Sequence, residues 1–155
     1  MNLFYLDHDV SKSVQYHLDK HVVKMVTEYA QLLSSAHHVL QSGVEGCMAL
    51  SHVNHPCAVF TRTSSANYDL VYRYYIACAK EYQYRYGKIH ASLSKYHEAL
   101  RINPVPKGKL TEIPQCVPDE CKRDCPVEAY RAYYKQHKIP QQGYAFSNRF
   151  DPPWV

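Results

Sequence analysis

The chain has 155 residues, 46% of them hydrophobic, with 18 Lys and Arg against 14 Asp and Glu and a formal charge of +4. That length suits one domain with a proper core, and no apolar run approaches the ~20 residues needed to span a bilayer. The opening MNLFYLDHDV is too short and too acidic for a signal peptide, so a cytoplasmic protein with no membrane contact is expected, with a basic bias that permits nucleic acid without requiring it.

Fifteen tyrosines and ten histidines exceed ordinary usage. Tyrosine supplies flat amphipathic contact area, and histidine supplies proton transfer or ligation near neutral pH. Both suit a pocket for a polar planar ligand such as a base, and both also serve plain packing. The six cysteines read as reduced thiols in a chain without a secretion signal.

Residues 2–6 form a short strand or extended arm in this reading. Residues 13–40 contain no Gly or Pro and have a helical period. Leu18, Val22, Met25, Val26, Tyr29, Leu32, Leu33, Ala36 and Leu40 share one arc. The opposite arc carries His17, His21, Lys24, Glu28, Gln31 and Ser35. A single carboxylate among imidazoles, an ammonium, a carboxamide and a hydroxyl can bind an anion, shuttle a proton or stabilise a developing cation. The competing reading is a solvated face rich in histidine. Residues 41–58 form a loop marked by Gly43, Gly46 and Pro56. Its His52, Asn54 and His55 either close over the polar stripe or lie incidentally at the surface.

Thr63, Ser64 or Ser65 caps a second long helix that runs to about Tyr86, with Gly87 placed to end it. On it Tyr68, Tyr72, Tyr75, Ala79, Tyr82 and Tyr86 share a face. Such a stripe ordinarily packs on a core. The alternative is stacking on a base, worth roughly 1–3 kcal/mol per base. Arg62, at the mouth of this helix, is a natural phosphate partner. A third helix covers His90 to Leu100. Residues 102–126 hold five prolines and three cysteines and read as a long crossing segment. Pro126 then starts a short helix, and the tail carries Arg149 and the only tryptophan, Trp154.

Cys116, Cys121 and Cys125, with His137 nearby in sequence, resemble part of a metal site but lack the paired C-x2-C knuckles of structural zinc. His17 and His21 stand one turn apart without an H-E-x-x-H or E-x-x-H pattern. No metal or other cofactor is therefore expected. The absence of a P-loop, G-x-G-x-x-G, G-x-S-x-G or kinase signature removes the common nucleotide-hydrolysis and acyl-transfer classes.

MNLFYLD, DKHVVKMVTEYAQLLSSAH, HVNHPCAVF, SSANY, YRYGKIH, QCVPDE and VEAYRAYYK together resemble a family of small phage-encoded proteins, over nearly the whole chain. That family implies no particular activity. In layout the chain also resembles the phage pyrimidine-dimer DNA glycosylases of the endonuclease V type: small, basic and mainly helical, with a glutamate on the first long helix and an aromatic, basic tail. This resemblance makes Glu28 the matching carboxylate. It also implies a nucleophilic α-amine on a small residue exposed by removal of the initiator Met. Asn2 departs from that pattern, which places the lyase half of the chemistry outside the expectation.

The expected fold is mainly α, a single domain over 1–155: a bundle of about four helices with a long Pro-rich connection. The expected function is that of a nucleic-acid-acting protein, most concretely a DNA glycosylase-like enzyme. In that reading Glu28 stabilises the cationic sugar or activates a nucleophile, His21 moves a proton, and Lys24 stands beside the carboxylate as its counter-charge and, with Arg62, Lys88 and Arg149, holds phosphates. His17, Gln31, His55, Arg62, Asn67, Tyr68 and Arg149 contact the nucleic acid, and Glu28 lies in an accessible pocket near Lys24 and a histidine. The alternative is a non-catalytic phage protein that binds a host protein or a nucleotide-like ligand; a metal-dependent hydrolase is a third class.

Overall fold

Asp9 accepts the Lys12 N–H at 2.9 Å and so opens α1, Val10–Gln15. This is a computed structural model, and it describes all 155 residues. The helical pattern of residues 13–40 is interrupted near its start, because α1 stops and α2, Asp19–Val39, begins after the extended Leu18. The interruption is stabilised from outside the segment. The Arg85 guanidinium donates to the carbonyls of Gln15 and His17, both at 2.9 Å, which the helix end leaves without intrahelical partners.

The helix α3, Pro56–Thr63, follows the 41–55 loop; the proline stands in its first turn and His55 caps it by accepting the Cys57 N–H. Ser64 caps α4, Ser65–Tyr86, and accepts the Asn67 N–H. Gly87 ends α4 with φ of 69°, a left-handed geometry that glycine adopts at no steric cost. His90 caps α5, Ala91–Leu100. The Pro-rich segment has no regular structure except one 3-10 turn, Asp119–Cys121. The last helix, α6, Pro126–Tyr133, passes through a π-helical stretch, Tyr134–Lys138, into Ile139–Gln142.

The architecture is thus mainly α, with more helices than four, because α1 and α3 are separate elements. The long helices α2 and α4 pack along each other, with α3 and α5 against α2. Residues 2–6 are extended but make no strand. They lie under the helices, with Leu3, Phe4 and Leu6 buried. Ser13 pins the arm to α1, taking the Leu6 N–H at 2.9 Å and donating to the Phe4 carbonyl at 3.1 Å. No helix is long and apolar enough to cross a membrane.

This burial changes the character of α2. His17, His21 and Ser35, placed by periodicity on a wet face, are buried. The arm and the π-helical end of α6 cover the His17 and His21 end of that side. The His21 ring stacks on Phe4 with centroids 4.3 Å apart, and its Nδ1 is hydrogen-bonded to the Tyr134 hydroxyl. His17 bonds the Ser13 carbonyl at 2.8 Å and the Tyr29 hydroxyl at 3.2 Å. Burial pushes His17 down to about 4 and His21 down to about 2.

Those shifts predict an acid-labile fold. Both folded-state values lie below the ordinary 6.5 of histidine, so the unfolded chain takes up these protons first. The full contribution is present above about pH 6.5. It falls as pH drops toward about 4 for His17 and about 2 for His21, by up to about 1.4 kcal/mol per pH unit for each. Urea unfolding measured at successive pH values should show this slope, and His21→Gln should remove one histidine's share. A pH-independent stability between neutrality and moderate acid would contradict the buried, neutral assignment.

Candidate functional site

Glu28 is the polar residue of α2 whose position suits chemistry. Its side chain is 13% exposed; Lys24 Nζ lies 3.0 Å from Oε1, and the Met1 α-ammonium 3.5 Å from Oε2. Lys24 stands one turn earlier on the same helix, which brings the two side chains together. The Met1 amine arrives because the extended arm runs beneath α2; the Met1 side chain is buried, while the residue as a whole is half-buried. One carboxylate therefore faces two cationic groups.

Asn2 fixes the arm beside this pair. Its Nδ2 donates to the Cys116 carbonyl at 2.9 Å, and its Oδ1 accepts the Leu3 N–H at 2.8 Å. The Tyr130 hydroxyl stands 2.8 Å from Asn2 Oδ1 and 2.7 Å from the Pro114 carbonyl, and accepts the Cys116 N–H at 3.2 Å. Hydrogen bonds thus join the arm, the crossing segment and α6 at one place.

Two thiols from distant parts of the chain meet there. Cys57 Sγ and Cys116 Sγ are 3.6 Å apart. Donation toward Cys116, together with burial, pushes the Cys57 thiol up, while the same hydrogen bond holds Cys116 below the ordinary thiol value. A ring nitrogen of His55 lies within 4.8 Å of both sulfurs. Burial lowers the proton affinity of His55, the Met1 ammonium and His52 lower it further, and the Glu28 carboxylate opposes them. The loop carrying His55 is held by Arg62, whose guanidinium donates to the Val53 carbonyl at 2.7 Å.

The sequence-derived candidates divide sharply. Glu28, Lys24 and His55 belong to this centre. Arg62 reaches it through the loop, as a positioning group and not as a free phosphate ligand. Gln31, half-buried on α2, makes no contact that assigns it a role. His17 and His21 are core residues, so a neutral, enclosed His21 is poorly suited to moving a proton. Asn67 is fully buried, donating to the Phe60 carbonyl at 2.8 Å and Thr111 Oγ1 at 2.7 Å. Tyr68 is 1% exposed, and its hydroxyl donates to the Leu100 carbonyl at 2.8 Å. Neither Asn67 nor Tyr68 presents a face for a base. Arg149 is already held by Glu81, with contacts of 2.9 and 2.8 Å.

The expected pocket is also absent in that form: Glu28 lines none of the four surface cavities. Its carboxylate reaches solvent beside Lys24, whose side chain is 55% exposed. Sequence reasoning missed the Met1 amine, Cys57 and the pairing of Cys116 with it. Cys57 had a local signal, since it follows His55 by two residues at the start of a helix. Cys116 lies 59 residues further on, and no spacing rule links it to them. The cysteine triple is divided: Cys116 joins Cys57, whereas Cys121 lies near Glu120 and His137.

Comparison of the chain with protein-family models, with curated proteins and with solved structures finds no match.

Proposed function

We propose that the protein is a glycosylase-like enzyme acting on DNA, with Glu28 as its catalytic carboxylate. The observation that carries this reading is the 3.5 Å approach of the Met1 α-amine to Glu28 Oε2, on a carboxylate whose side chain is 13% exposed. A carboxylate against an amine can accept the amine's proton and then face the positive charge that develops on the sugar as the glycosidic bond breaks. With a free amine the step balances as follows. The amine nitrogen bonds the anomeric carbon, and the base leaves with the bonding electrons and takes up a proton from solvent water, whose hydroxide is neutralised by the proton Glu28 later releases. The amine's own proton passes to Glu28. The resemblance to the phage pyrimidine-dimer glycosylases supports Glu28 as the carboxylate, whereas an amine on a retained Met1 departs from that pattern. Asn2 stays beside the reacting amine as a positioning residue through its bonds to Cys116 and Tyr130.

The test is borohydride trapping on duplexes that carry an abasic site or a pyrimidine dimer. The expected result is a covalent adduct at the terminal amine, lost when extra residues are fused ahead of Met1. No adduct and no strand product on any damaged duplex would overturn the proposal.

Binding should be weak and salt-labile. Of the cations expected at phosphates, Lys24 and the exposed Lys88 remain once Arg149 is held by Glu81 and Arg62 by the Val53 carbonyl. Two contacts give a log–log salt slope of about −2, and Lys24→Ala should shrink it by about 0.9. A salt series on a labelled duplex measures both values, and an unchanged slope would remove Lys24 from the interface.

A second reading has its own observation. Two adjoining cavities of about 280 and 240 Å³ between α1 and α4 share Ser11, Ala77 and Lys80, and Tyr72 and Arg73 line the larger. A ring beside cations suits a nucleotide-like ligand held without turnover. Loss of nucleotide binding in Lys80→Ala, with no turnover in the parent protein, would favour it.

A further inference from the structure

We propose that His55, Cys57 and Cys116 form a binding site for one zinc-class cation, joining the start of α3 to the Pro-rich crossing segment. The donor set comes from three points that the fold has already brought together. Their ligand atoms all lie within 4.8 Å of one another, with His55 and Cys116 half-buried and Cys57 buried.

The distances fit a metal better than a disulfide. Two thiolates each about 2.3 Å from a tetrahedral zinc stand about 3.8 Å apart by simple trigonometry. The two sulfurs here are 3.6 Å apart, so a cation can bridge them with little movement. A disulfide needs them to close to about 2.05 Å, although Cys57 is fixed in the first turn of α3 and Cys116 is tied by its backbone to Asn2 and Tyr130. Two soft sulfurs and an imidazole select zinc over magnesium or calcium. Three protein ligands leave a fourth position, for solvent or for Asn2 Oδ1, which lies 3.9 Å from Cys57 Sγ.

Metal binding displaces the thiol protons and replaces a shared-proton contact by two metal–sulfur bonds. It also cross-links a crossing segment that has little regular backbone hydrogen bonding of its own. The sequence argument against zinc applied to Cys116, Cys121 and Cys125 as a group. It loses its force for Cys116 once the structure pairs that residue with Cys57. The inference does not depend on a glycosylase activity, since its readout is metal binding.

The full-length protein, reduced and stripped with a chelator, would be titrated with cobalt(II) and then zinc(II). The expected result is one cobalt per chain, a thiolate-to-cobalt charge-transfer band displaced by zinc, and a melting temperature that rises with zinc concentration. Cys116→Ser and His55→Gln should lose stoichiometric binding, while Cys121→Ser and Cys125→Ser keep it. Alkylation of the unmutated protein, mapped by peptide mass, covers the case of a variant that does not fold: zinc should protect Cys57 and Cys116 selectively. Absence of cobalt binding by the reduced protein would overturn the site. So would protection of Cys121 in place of Cys57, or a Cys57–Cys116 disulfide that forms readily in the presence of zinc.

Discussion

Glu28→Gln is expected to lower turnover on a damaged duplex by about 10²- to 10⁴-fold, the usual worth of a positioned acid–base group, without weakening DNA binding. The substitution keeps the shape of the side chain and removes its charge, so the Lys24 ammonium at 3.0 Å and the Met1 ammonium at 3.5 Å lose their shared anion. Binding should hold or tighten, because a negative charge is removed from the surface that the proposal sets against phosphates. Glu28→Asp probes geometry: its carboxylate is drawn back by one methylene from an amine already at the edge of hydrogen-bond reach. Single-turnover cleavage and equilibrium binding, measured on the same duplex, separate the two effects. Unchanged turnover in the Gln variant would remove Glu28 from the chemistry.

Arg85→Met is expected to destabilise the fold by about 3–5 kcal/mol, the usual cost of breaking a buried ion pair by removing one member. For a chain of this size that corresponds to a melting temperature lower by roughly 6–20 °C. The Arg85 side chain is fully buried. It donates to Glu81 at 2.8 Å, to Asp19 at 2.8 Å and to the carbonyls of Gln15 and His17. Removing it leaves Glu81 with only the partly exposed Arg149 and leaves two carbonyls at the α1–α2 break unpaired. Lysine should not rescue it, because one ammonium cannot reproduce a planar fork spread over four acceptors. Arg149→Ala should cost much less, since Arg149 is partly exposed and Glu81 keeps Arg85. Ser147 also ties the tail to Asp19, its hydroxyl donating at 2.6 Å. Thermal melts of the three variants test this order, and an Arg85→Met protein as stable as its parent would refute it.

Several elements were legible because their signals are local. Ser64 and Gly87 bound α4, and His90 opens α5, since caps and left-handed glycines act within a turn of their own position. Pro126 marks the start of α6 for the same reason. The tyrosine stripe of α4 packs inward at Tyr68 and Tyr75, whose hydroxyls reach the carbonyls of Leu100 and Ser92. What misled was the polar arc of α2. Periodicity separates apolar from polar residues, but it does not say how many sides of a helix other elements cover.

By itself the sequence determined the helical class, both ends of α4 and the Pro-rich crossing. Those follow from backbone propensity, caps and the 3.6-residue period, all of which act over a few residues. Only the tertiary structure decided that α2 is covered on the His21 side, that Arg85 closes the break between α1 and α2, and that Met1, Glu28, His55, Cys57 and Cys116 form one centre. These contacts join residues separated by tens of positions. They are set by which surfaces the arm, α6 and the crossing segment bury together, and that competition over apolar area and unpaired polar groups is resolved only when the whole chain packs.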